Sequence, residues 1–198
     1  MSQAHDPSQA DTILLAEDNE DHIFFIKRSF MHARFLNPVQ VTRDGVQTIA
    51  YLRGDGKYSD RSQYPFPTLL LLDLKMPNKD GFEVLEWIRQ QAVPAIARLR
   101  VVVLTTSDRI FDVKRAYSLG AIGFLTKPLN LHEFIQLGPA IKGFWLWNGS
   151  DAASADGAVP QPVQQAPAGT PLAPVLQLPD LSQPPPTPPR APPQHAAA

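Results

Sequence analysis

Acidic side chains follow directly after two apolar segments of this sequence. Asp73 comes after the four leucines at 69–72, and the pair Glu17 and Asp18 comes after the apolar run at 12–16. Four consecutive leucines without a polar face are typical of a central parallel strand, and open parallel sheets bind ligands beyond the carboxyl ends of their strands. We therefore expect Asp73 to lie in a binding crevice, although an aspartate at a strand end also serves as a helix cap or a turn residue.

Three carboxylates at one edge of a sheet repel one another, so either some are protonated or a hard cation neutralises them. We favour a cation, because magnesium prefers oxygen ligands and commonly links one or two carboxylates to a phosphate oxygen. In that arrangement Asp73 would be the nucleophile that accepts a phosphoryl group, Lys127 would supply positive charge opposite, and the Thr105 hydroxyl would donate to a phosphoryl oxygen. The histidines, His22 among them, show no metal-ligand spacing.

Strand and helix patterns alternate five times along the chain. The apolar runs predict strands at 12–16, 38–42, 68–72, 100–105 and 122–126. Helical patterns predict a first helix at about 22–35, a second at 44–53 and a third that begins at the capping-box sequence 80–83. A fourth helix is predicted from a cap at Ser107 or Asp108 to Gly120, and a last one at about 130–147. This alternation predicts an α/β fold with a doubly wound five-stranded parallel sheet in the flavodoxin-like order 2-1-3-4-5. In that order Glu17, Asp18, Asp73, Thr105 and Lys127 come at strand ends along one edge.

Four short motifs occur in order along this predicted edge. They are Glu17-Asp18-Asn19, the stretch Asp73-Leu-Lys-Met-Pro-Asn-Lys-Asp-Gly81, Leu104-Thr105, and the stretch Gly120-Ala-Ile-Gly-Phe124-Leu-Thr-Lys127-Pro128. On these motifs, about residues 13–147 resemble the receiver domain of two-component response regulators. The loop 54–67, Thr105-Thr106-Ser107 and Phe144-Trp145 narrow the resemblance to the stand-alone regulators that partner bacterial phytochrome histidine kinases.

The resemblance implies a single-domain response regulator that takes a phosphoryl group from a sensor histidine kinase, such as a bacteriophytochrome, and signals through a surface change. The implied roles are Asp73 as phospho-acceptor and metal ligand, Asp18 and the Lys75 backbone carbonyl as direct magnesium ligands, Glu17 as a ligand through water, Thr105 and Lys127 as phosphate-sensing residues, and Thr105 with Phe124 as the switch. The Lys127–Pro128 peptide is expected to be cis, as in the family. The resemblance implies no enzyme activity beyond self-catalysed phosphoryl transfer and autodephosphorylation.

Composition divides the chain into a folded part and two ends that cannot build a core. Most of the 21 prolines lie after residue 149, where aromatic and branched side chains are few. We expect disorder at 1–11, a receiver domain at 12–148 and a disordered Pro/Ala/Gln-rich C-terminal tail at 149–198. The net charge of −1, the absence of cysteine and the lack of a membrane-length apolar run argue for a cytoplasmic protein that binds neither nucleic acid nor membrane.

Three other functions fit a fold of this kind. A flavin or dinucleotide binder usually offers glycines or hydroxyls in its first loop, whereas residues 17–21 are mainly acidic. An aspartate-nucleophile phosphatase normally carries a second acid two residues after the nucleophile, where this chain has Lys75. The third alternative is a non-phosphorylated pseudo-receiver that acts as a protein-binding module, and the retention of all the key side chains argues against it.

The last predicted helix carries more apolar side chains than one sheet face can cover. Leu131, Phe134, Leu137, Ile141 and Phe144 follow one stripe, whereas Leu146 and Trp147 lie away from it. Because contiguous exposed aromatic residues usually mark an interaction site, we expect a homodimer through the fourth helix, the fifth strand and this helix, with Phe144, Trp145 and Trp147 in the interface. Alternatively, Trp145 and Trp147 fold back over the edge of their own domain.

Overall fold

The computed structural model describes residues 11–107 and 109–149, and within this part it gives no side-chain detail for 131–132 and 143–149. The strands of the described part are β1 (Ile13–Ala16), β2 (Val39–Thr42), β3 (Leu69–Leu72), β4 (Arg100–Thr105) and β5 (Gly123–Thr126). The helices are α1 (Glu20–His32), α2 (Gly45–Arg53), α3 (Gly81–Arg89), α4 (Pro94–Ala97), α5 (Ile110–Ser118) and α6 (Leu131–Gly149), with a 3-10 turn at Gly56–Ser59. None of the described helices is both long and apolar enough to cross a membrane.

The strands form one parallel sheet in the order β2-β1-β3-β4-β5, which confirms the predicted order. At the carboxyl ends, Ala16 of β1 pairs with Leu72 of β3, and Thr105 of β4 pairs with Thr126 of β5. The residues that follow these four positions therefore lie at the same edge of the sheet, its carboxyl edge. This register is what brings Glu17, Asp73 and Lys127 together from three parts of the chain.

The leucines of β3 are buried on both faces of the sheet. Leu70 and Leu72 belong to the core that α2 and α3 cover, whereas Leu69 and Leu71 belong to the core that α1 and α6 cover. Each buried leucine side chain contributes about 1.5–3 kcal/mol through the hydrophobic effect. The interpretation of 69–72 as a central strand is confirmed, and its rigidity fixes the position of Asp73, the next residue.

Helix α3 begins close behind Asp73. The N–H of Glu83 donates to Asp80 Oδ1 at 2.8 Å, and the N–H of Asp80 donates to Glu83 Oε2 at 2.9 Å, which is the predicted capping box. The hydrogen bond from the Asp80 backbone, and secondly the one from Lys79, lower the pKa of the Glu83 carboxyl. A Cβ at Gly81 would lie 2.3 Å from the Asp73 carbonyl oxygen, so only glycine allows the helix to start this close to the strand.

Two local predictions are wrong. Helix α5 has Arg109, not the predicted Ser107, at its N-cap, without a side-chain hydrogen bond. Ser107 lies two residues earlier, where its hydroxyl donates to Asp112 Oδ2 at 2.5 Å and accepts from the Arg109 N–H at 3.5 Å. The other predicted cap, Asp108, lies outside the described residues. The Lys127–Pro128 peptide is trans, the isomer that X–Pro bonds favour by about 0.5–1 kcal/mol.

Helix α6 packs closely against α1. Phe134, Leu137 and Ile141 are buried, as their stripe predicts, and a Cβ at Gly138 would lie 2.1 Å from the Ser29 carbonyl oxygen. The Lys142 ammonium donates to the Ala33 carbonyl at 3.0 Å, at the end of α1. The side chains of Phe144, Trp145 and Trp147, which carry the dimer prediction, lie outside what the structure describes.

Candidate functional site

Three acidic side chains meet at the carboxyl edge of the sheet. Glu17 follows β1 and is 1% exposed, Asp73 follows β3 and is 5% exposed, and Asp18 is exposed. Each offers one carboxylate oxygen, and these oxygens all lie within 4.8 Å of one another. A cluster of this kind could hold a divalent cation.

Lys127 enters the acidic cluster from the end of β5. Its backbone N–H donates to the Thr105 carbonyl at 2.7 Å, and its buried ammonium lies 2.6 Å from Glu17 Oε2 and 2.5 Å from Asp73 Oδ2. The sequence predicts this charge opposite the acids, whereas the structure places it between two of them. Since removing one member of a buried ion pair costs about 3–5 kcal/mol, Lys127 and the two acids depend on one another.

The backbone on both sides holds Asp73 in place. Its N–H donates to the Ala16 carbonyl at 3.0 Å, and its Oδ1 accepts from the Lys75 N–H at 3.2 Å. Oδ2 is the oxygen that faces Lys127. The two carboxylate oxygens are therefore held by different groups, and the side chain has one defined orientation.

The donor set fits a hard divalent cation. Glu17 Oε2 is buried and has no hydrogen-bond partner, even though the Lys127 ammonium lies 2.6 Å away, because that approach lacks hydrogen-bond geometry. An ion pair alone leaves this oxygen with free acceptor capacity in a buried place, which is costly. Carboxylate oxygens with free capacity are the ligands that Mg²⁺ and Mn²⁺ prefer.

Thr105 and Phe124 lie on the strands beside Lys127. Thr105 is fully buried at the end of β4, and its Oγ1 accepts from the Ser107 N–H at 3.3 Å. Phe124 on β5 is partly buried against the core that α2 and α3 cover. Burial raises the pKa of Tyr117 on α5, and its contact with the Phe124 backbone acts in the opposite direction. Helix α5 packs against the strand that carries Phe124.

His22 belongs to the site, although the sequence analysis excludes it as a metal ligand and gives it no other role. Its Nδ1 lies 3.0 Å from Glu17 Oε1 and 3.4 Å from the Lys127 ammonium. The signal was its position in the first turn of α1, a helix whose N-cap, Asn19, is two residues after Glu17. Such a residue must lie at the same edge of the sheet as the acids.

Known proteins are similar to this chain in sequence. Residues 13–137 match the sequence profile of the response regulator receiver domain. Response regulator Rcp1 of Synechocystis sp. is 36% identical over 146 residues, which cover 74% of this chain and 95% of Rcp1. The Probable methanogenesis regulatory protein FilR2 of Methanothrix harundinacea is 38% identical over 152 residues, which cover 75% of this chain and 90% of FilR2.

Solved structures agree with these sequence matches. The phosphorylated cyanobacterial phytochrome response regulator RcpA superposes with a TM-score of 0.63 at 37% identity, over 70% of this chain and 96% of RcpA. The Mn²⁺-bound form of Rcp1 gives a TM-score of 0.61 at 37% identity, over 69% of this chain and 94% of that structure. The chain therefore belongs to the response regulator receiver domain family.

Proposed function

We propose that this protein is a phosphorylatable response regulator in which Asp73 accepts a phosphoryl group from a sensor histidine kinase. The observation that carries the proposal is the Asp73 carboxylate, buried at the centre of the site and paired with the Lys127 ammonium at 2.5 Å. Phosphoryl transfer depends mainly on positioning and on stabilising charge, and both are provided here by fixed groups.

The proposed transfer reaction needs Mg²⁺ and a donor with a labile phosphoryl group. A carboxylate oxygen of Asp73 attacks phosphorus, a P–O bond forms, and the P–N bond of a phosphohistidine breaks. The imidazole of the donor leaves with the bonding electron pair and takes up a proton from solvent. Lys127 is placed to pair with the added negative charge, and the Thr105 hydroxyl is the proposed donor to a phosphoryl oxygen.

Four groups are proposed to hold Mg²⁺: the carboxylates of Asp18 and Asp73, the backbone carbonyl of Lys75, and Glu17 through water. When bound, the ion supplies positive charge that offsets the acids and the phosphoryl oxygens. The acidic cluster supports this assignment, as does the Mn²⁺-bound form of the relative Rcp1. Asp18→Ala should weaken Mg²⁺ binding, which isothermal titration calorimetry measures directly.

The proposed partner is a phytochrome-type histidine kinase in the cytoplasm. This rests on RcpA, a phytochrome response regulator, and on RPA3017, a response regulator in red light signaling of R. palustris, at 32% identity and a TM-score of 0.63. FilR2 is named for methanogenesis, so the receiver domain itself does not determine the stimulus. Phosphotransfer should be faster from a phytochrome kinase than from an unrelated kinase, and equal rates would contradict a phytochrome-type partner.

The output is proposed to be a change on the face formed by α5, β5 and α6, with Thr105 and Phe124 as the switch and a homodimer as the product. Two exposed apolar side chains support an interface there, because Phe111 on α5 is 74% exposed and Leu129 before α6 is 96% exposed. Phe144, Trp145 and Trp147 are proposed to extend it. Sedimentation of the wild type, Phe111→Ser and Trp145→Ala, with and without phosphodonor, tests this; identical monomers throughout would contradict it.

A small phosphodonor with Mg²⁺, followed by intact-mass measurement, tests the phosphorylation itself. Wild type should gain one phosphoryl mass, and Asp73→Asn should gain none. The second candidate is a non-phosphorylated pseudo-receiver that acts as a protein-binding module, and the pairing of Lys127 with both buried acids favours it, because the ammonium offsets part of their negative charge without a metal ion. A wild type that binds no Mg²⁺ and gains no mass would favour that candidate.

A further inference from the structure

His22 is fixed between a buried carboxylate and a buried ring. Its Nδ1 lies 3.0 Å from Glu17 Oε1, and its imidazole stacks on the ring of Phe134 at 5.8 Å between centroids and 27° between planes. Phe134 is buried on α6 and also contacts the ring of Phe25. The ring of His22 is therefore held in one orientation from two sides.

The contact with Glu17 has a defined direction. A carboxylate accepts hydrogen bonds and does not donate them, so Nδ1 must carry the hydrogen and donate it to Oε1. The same nitrogen then has no free lone pair, and its 3.4 Å approach to the Lys127 ammonium is a contact between two donors rather than a hydrogen bond. The Asn19 N–H approaches Oε1 as well, at 3.4 Å. These two contacts hold Oε1 at the start of α1.

The other oxygen of Glu17, Oε2, remains available to a ligand at the site. Oε2 has no hydrogen-bond partner and faces Lys127 at 2.6 Å. With Oε1 held by His22, the carboxylate cannot turn to satisfy Oε2 elsewhere. A ligand that is already oriented loses less conformational freedom when a cation binds, and outer hydrogen bonds to such ligands are worth about 10–100-fold in metal affinity.

We propose that His22 is a positioning residue for the cation site: its Nδ1–H holds Glu17 so that Oε2 faces Lys127 and can accept from a water bound to the divalent cation. This rests on the proposed function in that the site is taken to bind Mg²⁺. His22 itself touches neither the cation nor the phosphoryl group, because its one nitrogen at the site is engaged with Glu17.

Two substitutions separate the hydrogen bond from the ring contact. His22→Asn keeps an N–H donor near the place of Nδ1 but removes the ring, whereas His22→Phe keeps a ring against Phe134 but removes the donor. The control is His32→Phe, the same chemical change at an exposed position near the end of the same helix. Urea unfolding without metal confirms that each variant is folded.

Mg²⁺ affinity by isothermal titration calorimetry is the main measurement. His22→Phe should bind Mg²⁺ about tenfold more weakly, while His22→Asn stays within about threefold of wild type and His32→Phe is unchanged. Equal affinity in wild type and His22→Phe, or a larger loss in His22→Asn than in His22→Phe, would overturn the proposal, since the second result means that the ring contact alone matters.

The phosphorylation rate gives an independent readout. In His22→Phe the Mg²⁺ concentration for half-maximal rate should rise about tenfold, whereas the rate at saturating Mg²⁺ stays within about twofold of wild type. A loss of the saturating rate with unchanged Mg²⁺ dependence would contradict a positioning role. If wild type binds Mg²⁺ but never gains phosphate, the proposed function fails while the affinity comparison still decides the role of His22.

Discussion

Polar side chains lie at both edges of the sheet, but their hydrogen-bonding capacity is satisfied to different degrees. At the amino edge, in the loop that leads into β3, the Arg61 guanidinium donates to the carbonyls of Tyr51 at 2.8 Å, Leu52 at 2.9 Å and Tyr64 at 3.2 Å. Two of these carbonyls belong to the last turn of α2, whose backbone acceptors have no partner within the helix. The Tyr51 hydroxyl in turn donates to the Pro65 carbonyl at 2.8 Å.

At the carboxyl edge the polar groups are less well satisfied. One ammonium, that of Lys127, is shared between Glu17 and Asp73, and Glu17 Oε2 has no hydrogen bond. We infer from this difference that the amino edge stabilises the fold and that the carboxyl edge is the candidate ligand site. Groups with free acceptor capacity are available to a cation or a phosphoryl group, whereas the contacts of Arg61 are complete without a ligand.

The largest effect on stability should come from Lys127→Met. The substitution leaves Glu17 and Asp73 buried and close together without their counter-charge, so the metal-free protein should lose about 3–5 kcal/mol of unfolding free energy. Mg²⁺ should then bind more tightly than in wild type, because no ammonium competes for the two acids, and it should restore part of the stability. Urea unfolding with and without Mg²⁺ measures both, with the exposed Lys114→Met as control; equal losses in the two variants would contradict the account.

Arg61→Ala should have the next largest effect, and it should be independent of Mg²⁺. Three carbonyls lose a charged donor, which we expect to cost about 2–3 kcal/mol of unfolding free energy. Arg61→Lys keeps the charge but not the planar fork, so it should recover less than half of the loss. If Arg61→Ala changed Mg²⁺ affinity as much as stability, the separation between the two edges would be wrong.

Tyr51→Phe should give the smallest effect, about 1 kcal/mol at neutral pH, since one buried hydrogen bond is lost. Burial raises the pKa of Tyr51 from 10.0 to about 12. A raised folded pKa means that the stability linked to the neutral hydroxyl is complete below pH 10 and is lost as the pH rises from about 10 to about 12. Unfolding midpoints across this range should fall more steeply for wild type than for Tyr51→Phe, and parallel curves would contradict the assignment.

The sequence was sufficient for the sheet and for the composition of its carboxyl edge. The leucines at 69–72 have no polar face, and a strand of that kind must be central, which puts the acid that follows it into the crevice. Parallel pairing then brings the other strand ends to the same edge. The cluster of Glu17, Asp18 and Asp73 follows from these two facts.

Contacts between distant segments could not be predicted in the same way. The stacking of His22 on Phe134 is one such contact, and Gly138 permits it by letting α6 approach α1 closely. Likewise, Lys127 was expected opposite the acids, and only the register of β4 and β5 shows that its ammonium lies between two of them. The contacts of Arg61 also could not be predicted, because they depend on how the loop 54–67 folds back onto the end of α2.

Identifying the phosphorylated residue tests the central claim most directly. An aspartyl phosphate is an acyl phosphate, so borohydride reduces it to homoserine, and peptide mass sequencing then reports the position. After treatment with Mg²⁺ and a small phosphodonor, we predict homoserine at residue 73 and at none of the neighbouring acids. Homoserine in place of Asp18 or Asp80, or a phosphate that survives reduction on a serine or threonine, would contradict the account.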